Sequence, residues 1–600
     1  MSQTTAAAAL QDDEISGLPE WDLGDLYASP DAPELARDLR EAEAAAKAFA
    51  QRYKGELAAA DGDVIGDAVI EYERMSEVLG RVMSYAQLHY SGNVADPARG
   101  RFYQSMQERV TAISTDTLFF TLELNRLEDD VLEGKLASPK LARYRPWLRD
   151  LRVFRKHQLS DDLERLLHEK DVTGRASWVR LFDETMAELR FPLDGKELTA
   201  TEVLHLMSDK NPDTRRRAGQ ALGAVLGSNI RTFSLITNVL AKDKEIEDQW
   251  RGYPHPASAR NLSNQVEDEV VDALVQAVKS AYDRLAHRYY RLKAGWFGVD
   301  VLDYWDRNAP LPEDDDRRVG WDEARDRVLN AYAAFSPELA SIGRRFFDNA
   351  WIDAPVRPGK ASGAFAHPTV PSAHPYLLVN YMGKTRDVMT LAHELGHGVH
   401  QVLAAGQGPL LSDTPLTLAE TASVFGEMMT FRAMLDAEAD PRRRRVMLAG
   451  KVEDILNTVV RQVAFYDFER RLHDERRGGE VAAERIGDIW LDVQRESLGP
   501  AIRFHDEYRN FWAYIPHFVH SPFYVYAYAF GDCLVNSLYA AYQRGMPGFE
   551  DRYLDMLRAG GTLRHKELLA PFGLDAGDPD FWRRGLEVVV GFIDELEQVA

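Results

Sequence analysis

Among its 600 residues the chain has a single cysteine, Cys533, so no intrachain disulfide can form. That scarcity fits a reducing compartment. It also lacks any run near the roughly 18 uninterrupted apolar residues of a membrane span. Positive charge is short as well: 72 Lys and Arg stand against 95 Asp and Glu, a net charge of −23. Such a balance excludes nucleic acid as the main partner, because phosphate binding relies on Lys and Arg, and it weighs equally against an anionic membrane surface. No secretory signal is legible at the N-terminus. The alanine run at 6–9 has no basic region before it and leads into Asp12, Asp13 and Glu14. The expectation is a cytoplasmic protein with no nucleic-acid or membrane partner. Oligomeric state leaves no mark in the sequence.

What is present is globular: 45% hydrophobic and 28% charged residues over a length that calls for more than one domain. Most of the chain has helical periodicity, as in "PELARDLREAEAAAKAFAQRYKGELAAA", rich in strong helix formers. Residues 1–190 read as several long amphipathic helices. Pro192 and the Asp194-Gly195 turn break the pattern, and Thr199 or Thr201 is a candidate cap for the next helix. The expected division is an N-terminal helical domain, 1–195, and a second domain, 196–600. Residues 308–323 form an acidic loop. Strand-like alternation is clearest at 362–383, where turn residues separate short runs such as Tyr376-Leu-Leu-Val. The fold class is therefore mostly α, with a small β-sheet immediately before the stretch that carries the chemistry.

That stretch is "TLAHELGHGVHQ", residues 390–401. On a helix, His393 and His397 share one face a turn apart and can aim two imidazole nitrogens at one point. Glu394 is rotated about 100° from His393. It is near that point but poorly placed to share it, which suits a base acting on a metal-bound water. Leu391, Leu395, Val399 and Val402 supply a buried stripe. Gly396 and Gly398 each weaken the helix by about 1 kcal/mol relative to Ala. Chance places such a string in roughly 3 of 100 chains of this length and histidine content.

Catalytic zinc takes three protein ligands and keeps one position for water. A third histidine in the pattern HExxHxxGxxH would require Gly at 400 and His at 403; the sequence has His400 and Leu403. Three ligands within seven residues of one helix would also converge poorly, so His400 is assigned to packing. Glu420, 23 residues after His397 and beyond a loop with Gly406, Gly408 and two prolines, is the candidate third ligand. Glu427, seven residues on and on the same helix face, is placed to hydrogen-bond a ligand histidine. Glu420 has a competing reading, since Thr417-x-x-Glu420 is a capping-box pattern.

"HELGHGVHQ" followed by "LAETASVFGEMM" resembles the M3 metallopeptidases, the thimet-oligopeptidase-like zinc enzymes, and among them the oligoendopeptidase F branch. "WDLGDLY", "HPYLLVNYMGKTRDVMTLAHELGH", "IPHFVHSPFYVYAYAFG", "YLDMLRAGGT" and "FWRRGLEVVVGFIDELE" extend the resemblance from near residue 20 to near 597. The resemblance implies one Zn2+ per chain on His393, His397 and Glu420, with Glu394 as general base. It implies a mostly helical, two-lobed body with a deep central channel and zinc at its floor. It implies an endopeptidase that cleaves short peptides, because a narrow channel excludes folded proteins.

The segment "IPHFVHSPFYVYAYAFG" holds His517, His520, Tyr524, Tyr526 and Tyr528. By composition alone Tyr524 and Tyr528 read as an aromatic core stripe. The resemblance implies instead that a histidine and tyrosines from this segment face the zinc and steady the oxyanion of the tetrahedral intermediate. The spacing from His517 to the tyrosines is one residue longer than in relatives. The expected set is His517, Tyr524 and Tyr528, with His520 an extra candidate and Tyr526 unassigned. "HSPF" also lacks the Gly-rich loop of thimet-type relatives. Gly363 and His374, in the strand-like segment, are candidates for contacts to an extended substrate backbone. Two other readings are a non-catalytic peptide-binding protein of the same fold and a zinc hydrolase acting on another amide.

Overall fold

The computed structural model describes residues 17–311 and 318–599, residue 172 excepted. The N-terminal segment with Asp12, Asp13 and Glu14 lies outside the described residues, as does 312–317 of the acidic loop. The protein is mostly helical with three small sheets. No helix among the described residues is long and apolar enough to cross a membrane.

The chain divides into two compact units, each assembled from three segments. The first holds Met1–Arg155, Asp316–Ala437 and Gly545–Gly573; the second holds Lys156–Asp315, Glu438–Arg544 and Leu574–Ala600. The Asp194-Gly195 turn, expected to separate two domains, lies inside the second unit. It is the turn of a hairpin that pairs Phe191–Leu193 with Lys196–Leu198, and both turn residues have positive φ, 53° and 75°. Thr199 then caps the following helix, with Glu202 closing a capping box.

In the first unit three long helices, Pro33–Tyr53, Gly62–Ser91 and Pro97–Arg126, follow the amphipathic pattern. Asp61 and Asp96 accept from backbone N–H groups of the first turns they precede. Leu39, Phe49, Ile65, Val82, Phe120 and Leu124 are buried between them. The strand-like region becomes a three-stranded sheet. Its central strand, Tyr376–Leu378, is buried on both faces. Ile352–Asp353 pairs with it in parallel and Phe365–His367 antiparallel, in the register Ala366 to Leu377. Phe365–His367 is thus an edge strand.

A buried ion pair holds the loop between these strands. The Lys360 ammonium is fully enclosed, 2.7 Å from Asp353 Oδ1, and donates to the carbonyls of Asp353, Pro355 and Val379. Arg357 makes a second, bidentate contact to the same carboxylate. Burial pulls the Lys360 pKa down, and the Asp353 carboxylate opposes that fall.

The second unit is built around the helix Tyr526–Gln543, whose residues from Ala529 to Ala541 are almost all buried. It packs against Pro579–Gln598 at Gly585, where a Cβ would stand 2.5 Å from the Cys533 carbonyl. Cys533, the lone cysteine, is part of that core. Helices Pro441–Ile455 and Arg461–Arg476 are joined through a π-helical turn, Leu456–Val460.

Lys360→Met leaves Asp353 with Arg357 alone and three backbone carbonyls without their donor, which should cost about 1–3 kcal/mol. Urea unfolding followed by circular dichroism measures this; an unchanged midpoint would contradict it. Removing the exposed Lys47–Glu43 pair is the matched control.

Candidate metal centre

The histidine stretch folds as the helix Thr385–Ala404. Asp387, in its first turn, accepts from the N–H groups of Met382 and Lys384 and fixes the entry of the chain. Leu391, Leu395 and Val399 are buried as the periodicity predicts, while Val402 is half-buried. The loop after the helix turns at Gly408, with φ +88°, and returns as a short helix, Leu416–Ala419, followed by Thr421–Ala437. Pro415, not Thr417, is the N-cap of that short helix. Thr417 lies within it, and Glu420 stands at the junction of the two helices with its carboxylate turned to the histidines.

Gly396 lets these two helices approach, and Gly426 admits Tyr332 from the helix Trp321–Phe335. A Cβ on Gly396 would lie 2.5 Å from the Ala422 carbonyl oxygen and 2.6 Å from Ser423 Cα. A Cβ on Gly426 would collide with the Tyr332 phenol, whose hydroxyl donates to the Ala392 carbonyl at 2.7 Å. The Tyr553 hydroxyl similarly donates to the Thr421 carbonyl at 2.9 Å. Each helix is therefore pinned one residue from a candidate ligand, at Ala392 before His393 and at Thr421 after Glu420.

The outcome is convergence. One ligand atom each from His393, His397 and Glu420 lies within 4.8 Å of the others, the group among the described residues that could hold a metal ion. Glu420 Oε2 is 3.3 Å from His393 Nε2 and 3.4 Å from His397 Nε2. Behind them, His393 Nδ1 donates to Glu427 Oε2 at 3.2 Å, which fixes the tautomer that leaves Nε2 facing the centre. The Ser423 hydroxyl, fully buried, donates to Glu420 Oε2 at 2.6 Å. Sequence reasoning missed Ser423, although its i+3 spacing from Glu420 was a signal.

The electrostatics favour positive charge where the three side chains meet. Burial disfavours a charged His393, but hydrogen bonds to Glu420 and Glu427 outweigh it and carry its pKa up to about 10. Burial likewise disfavours an ionised Glu420, yet the two histidines hold it far below the usual carboxylate range. Glu394 is buried, which raises its pKa, while the histidines and the Ala366 N–H act in the opposite direction. Ala366 is on the edge strand, so that strand runs beside the Glu394 carboxylate. His400 is buried and hydrogen-bonds the Ala419 backbone rather than joining the triad, and desolvation pushes it down to about 4.

Other sequence candidates resolve differently. His374 stacks on Trp351 at 3.7 Å and its Nε2 is 2.8 Å from Asp25, so it is a packing residue. Gly363 has φ +83°, and its carbonyl accepts from Asn380. In the second unit, His517, Tyr524 and Tyr528 form one cluster. His517 Nε2 lies 3.3 Å from the Tyr528 hydroxyl, and the Tyr524 and Tyr528 rings are 5.4 Å apart. Tyr528 is exposed and Tyr524 half-buried. Burial, then the charges of Arg461 and His520, lower the His517 pKa. His520 instead meets Asp183 at 2.7 Å, and Tyr526 is a core residue whose hydroxyl accepts from Asn264. Phe523, just before Tyr524, holds a positive φ of 60°, and its N–H donates to the buried Glu469 carboxylate.

Two imidazoles and a carboxylate gathered on a helix pair define a helical protein with a centre that could hold a metal ion. A sequence model described as peptidase family M3 matches residues 332–588, and one described as oligopeptidase F matches 123–191. Together the two matches span just over half of the chain, which is similar over them to peptidase family M3. It is 26% identical to oligopeptidase PepF of Bacillus subtilis, covering 100% of this chain and 90% of that protein. It is 25% identical to an oligoendopeptidase F homolog of Lactococcus lactis, covering 98% of each. Among solved structures, one from Chlamydophila abortus superposes with a TM-score of 0.85 at 22% identity, covering 98% of this chain and 99% of the other. Oligoendopeptidase-F of Enterococcus faecium does so with a TM-score of 0.69 at 22% identity, covering 94% and 97%. These structures share the fold.

Gly396→Ala inserts a methyl group against the backbone of the facing helix, where no flexible side chain can yield. It should cost about 1–3 kcal/mol. Thermal unfolding of Gly396→Ala beside the solvent-facing Gly134→Ala measures it, since Gly134 has open space; equal effects would contradict the close-approach account.

Proposed function

We propose that the protein is a zinc-dependent endopeptidase that hydrolyses short peptides. The observation that carries this is the convergence of His393, His397 and Glu420, with Glu394 beside them, in a chain similar to peptidase family M3. Two imidazole nitrogens and one carboxylate oxygen suit the donor preference of Zn2+, which would displace the His393 proton on binding, and the Glu427 carboxylate behind His393 is the outer support that such ligands require. A zinc ion held there lowers the pKa of bound water and polarises the scissile carbonyl.

Glu394 takes the proton from the attacking water and delivers it to the leaving amine. Burial supports that role, because it raises the Glu394 pKa and makes the carboxylate a better proton acceptor. His517, Tyr524 and Tyr528 are assigned as donors to the oxyanion; their mutual contacts and the exposure of Tyr528 support the assignment over a core role. The edge strand Phe365–His367, running beside Glu394, is assigned to pair with an extended peptide.

Glu394→Gln keeps the side chain's size and removes its proton chemistry. It should bind zinc as the parent does while kcat for a quenched fluorescent peptide falls about 10²–10⁴-fold. Full turnover with bound zinc would rule Glu394 out as the base. Glu427→Gln should weaken zinc affinity about 10–100-fold in chelator competition; unchanged affinity would remove Glu427 from the support of His393.

A further inference from the structure

The second unit contains positive charge that its own carboxylates do not balance. Around the helix Ala286–Trp296, Lys293 is fully buried and pairs with Glu453, which also accepts from the Tyr289 hydroxyl. Arg215 pairs with Asp306. Two further guanidinium groups, Arg307 and Arg461, have no carboxylate within ion-pair distance among the described residues. Arg307 donates to Asn457 Oδ1 at 3.0 Å, and Arg461 reaches the Tyr514 hydroxyl at 3.4 Å. The charges of the two arginines oppose each other. The phenols of Tyr290 and Tyr508 beside them, pushed up by burial, carry no charge to cancel it.

The backbone builds this arrangement. The π-helical turn Leu456–Val460 carries Asn457 to Arg307, and Arg461 is the residue that ends it. Such turns interrupt an α-helix at a cost and concentrate at functional sites. Both arginines are partly buried residues whose charged ends sit deep among protein atoms, Arg461 lying over the Phe465 ring. Partly desolvated charge without a counter-ion is unfavourable, and a planar fork is the shape that receives a carboxylate through two parallel hydrogen bonds.

We propose that Arg307 and Arg461 form a binding site for a carboxylate of the peptide substrate, with the Tyr514 hydroxyl as an additional donor. The site lies in the same unit as His517, whose imidazole senses the Arg461 charge. The inference rests on the peptide-hydrolase reading and extends it to specificity. The carboxylate is the peptide C-terminus or an acidic side chain.

Four quenched fluorescent peptides decide between these sources: one sequence as free acid and as C-terminal amide, each with an internal Glu or Gln. With zinc-loaded full-length protein, KM should be lower for the carboxylate-bearing member of one pair by about tenfold, the worth of one good charge-assisted contact. Arg461→Met should erase that preference, read as the ratio of KM values within each pair, whatever the loss of its charge beside His517 does to kcat. No preference in either pair, or a preference that survives Arg461→Met, overturns the proposal. Should that variant fail to fold by circular dichroism, Arg461→Lys and Arg307→Met must each reduce the preference. Fluorescence anisotropy of the same peptides answers the carboxylate question even if none is cleaved, and absent cleavage counts against the peptidase reading alone.

Discussion

The close approach of two helices at Gly396 is the constraint on which the rest of the centre depends. His393 and His397 are fixed to each other by one helical turn, but nothing local fixes them to Glu420. That distance is set by how near Thr385–Ala404 can come to the chain that carries Glu420, and backbone meets backbone at Gly396 and Ala422. The helix gives up about 1 kcal/mol at each of its glycines relative to Ala. The weakness is offset by a buried interface in which the Tyr332 and Tyr553 hydroxyls tie each helix to a neighbouring element.

Given that spacing, charge does the rest. Three carboxylates, Glu394, Glu420 and Glu427, crowd two imidazoles in a largely desolvated place. Each has a separate partner: Glu420 faces both histidines, Glu427 holds the far side of His393, and Glu394 meets the Ala366 N–H of the edge strand. One carboxylate is thereby kept ionised and another kept basic. Environments that push like groups apart in pKa are what acid–base chemistry at neutral pH needs.

Much of this was legible in the sequence because it is local. The i, i+4 spacing of His393 and His397, the rotated Glu394 and the i+7 spacing from Glu420 to Glu427 follow from helical geometry alone. The helix content and the small sheet followed from periodicity. What was not legible is long-range. Thr417-x-x-Glu420 is a sound capping pattern, but the chain begins that helix at Pro415. His374 sits in a promising string and is spent on Trp351 and Asp25. The separation of His517 from His520, and of Tyr526 from Tyr524 and Tyr528, turns on distant partners, Asp183 for His520 and Asn264 for Tyr526, that no local pattern announces. The division into units, each of three segments, depends on crossings of the chain that leave no local signature.

The most direct test of the central claim is anomalous diffraction at the zinc edge from crystals of the zinc-loaded protein. The account predicts a single peak per chain, about 2.0–2.2 Å from His393 Nε2, His397 Nε2 and a Glu420 carboxylate oxygen. A peak bound elsewhere, or none at this point, would contradict it.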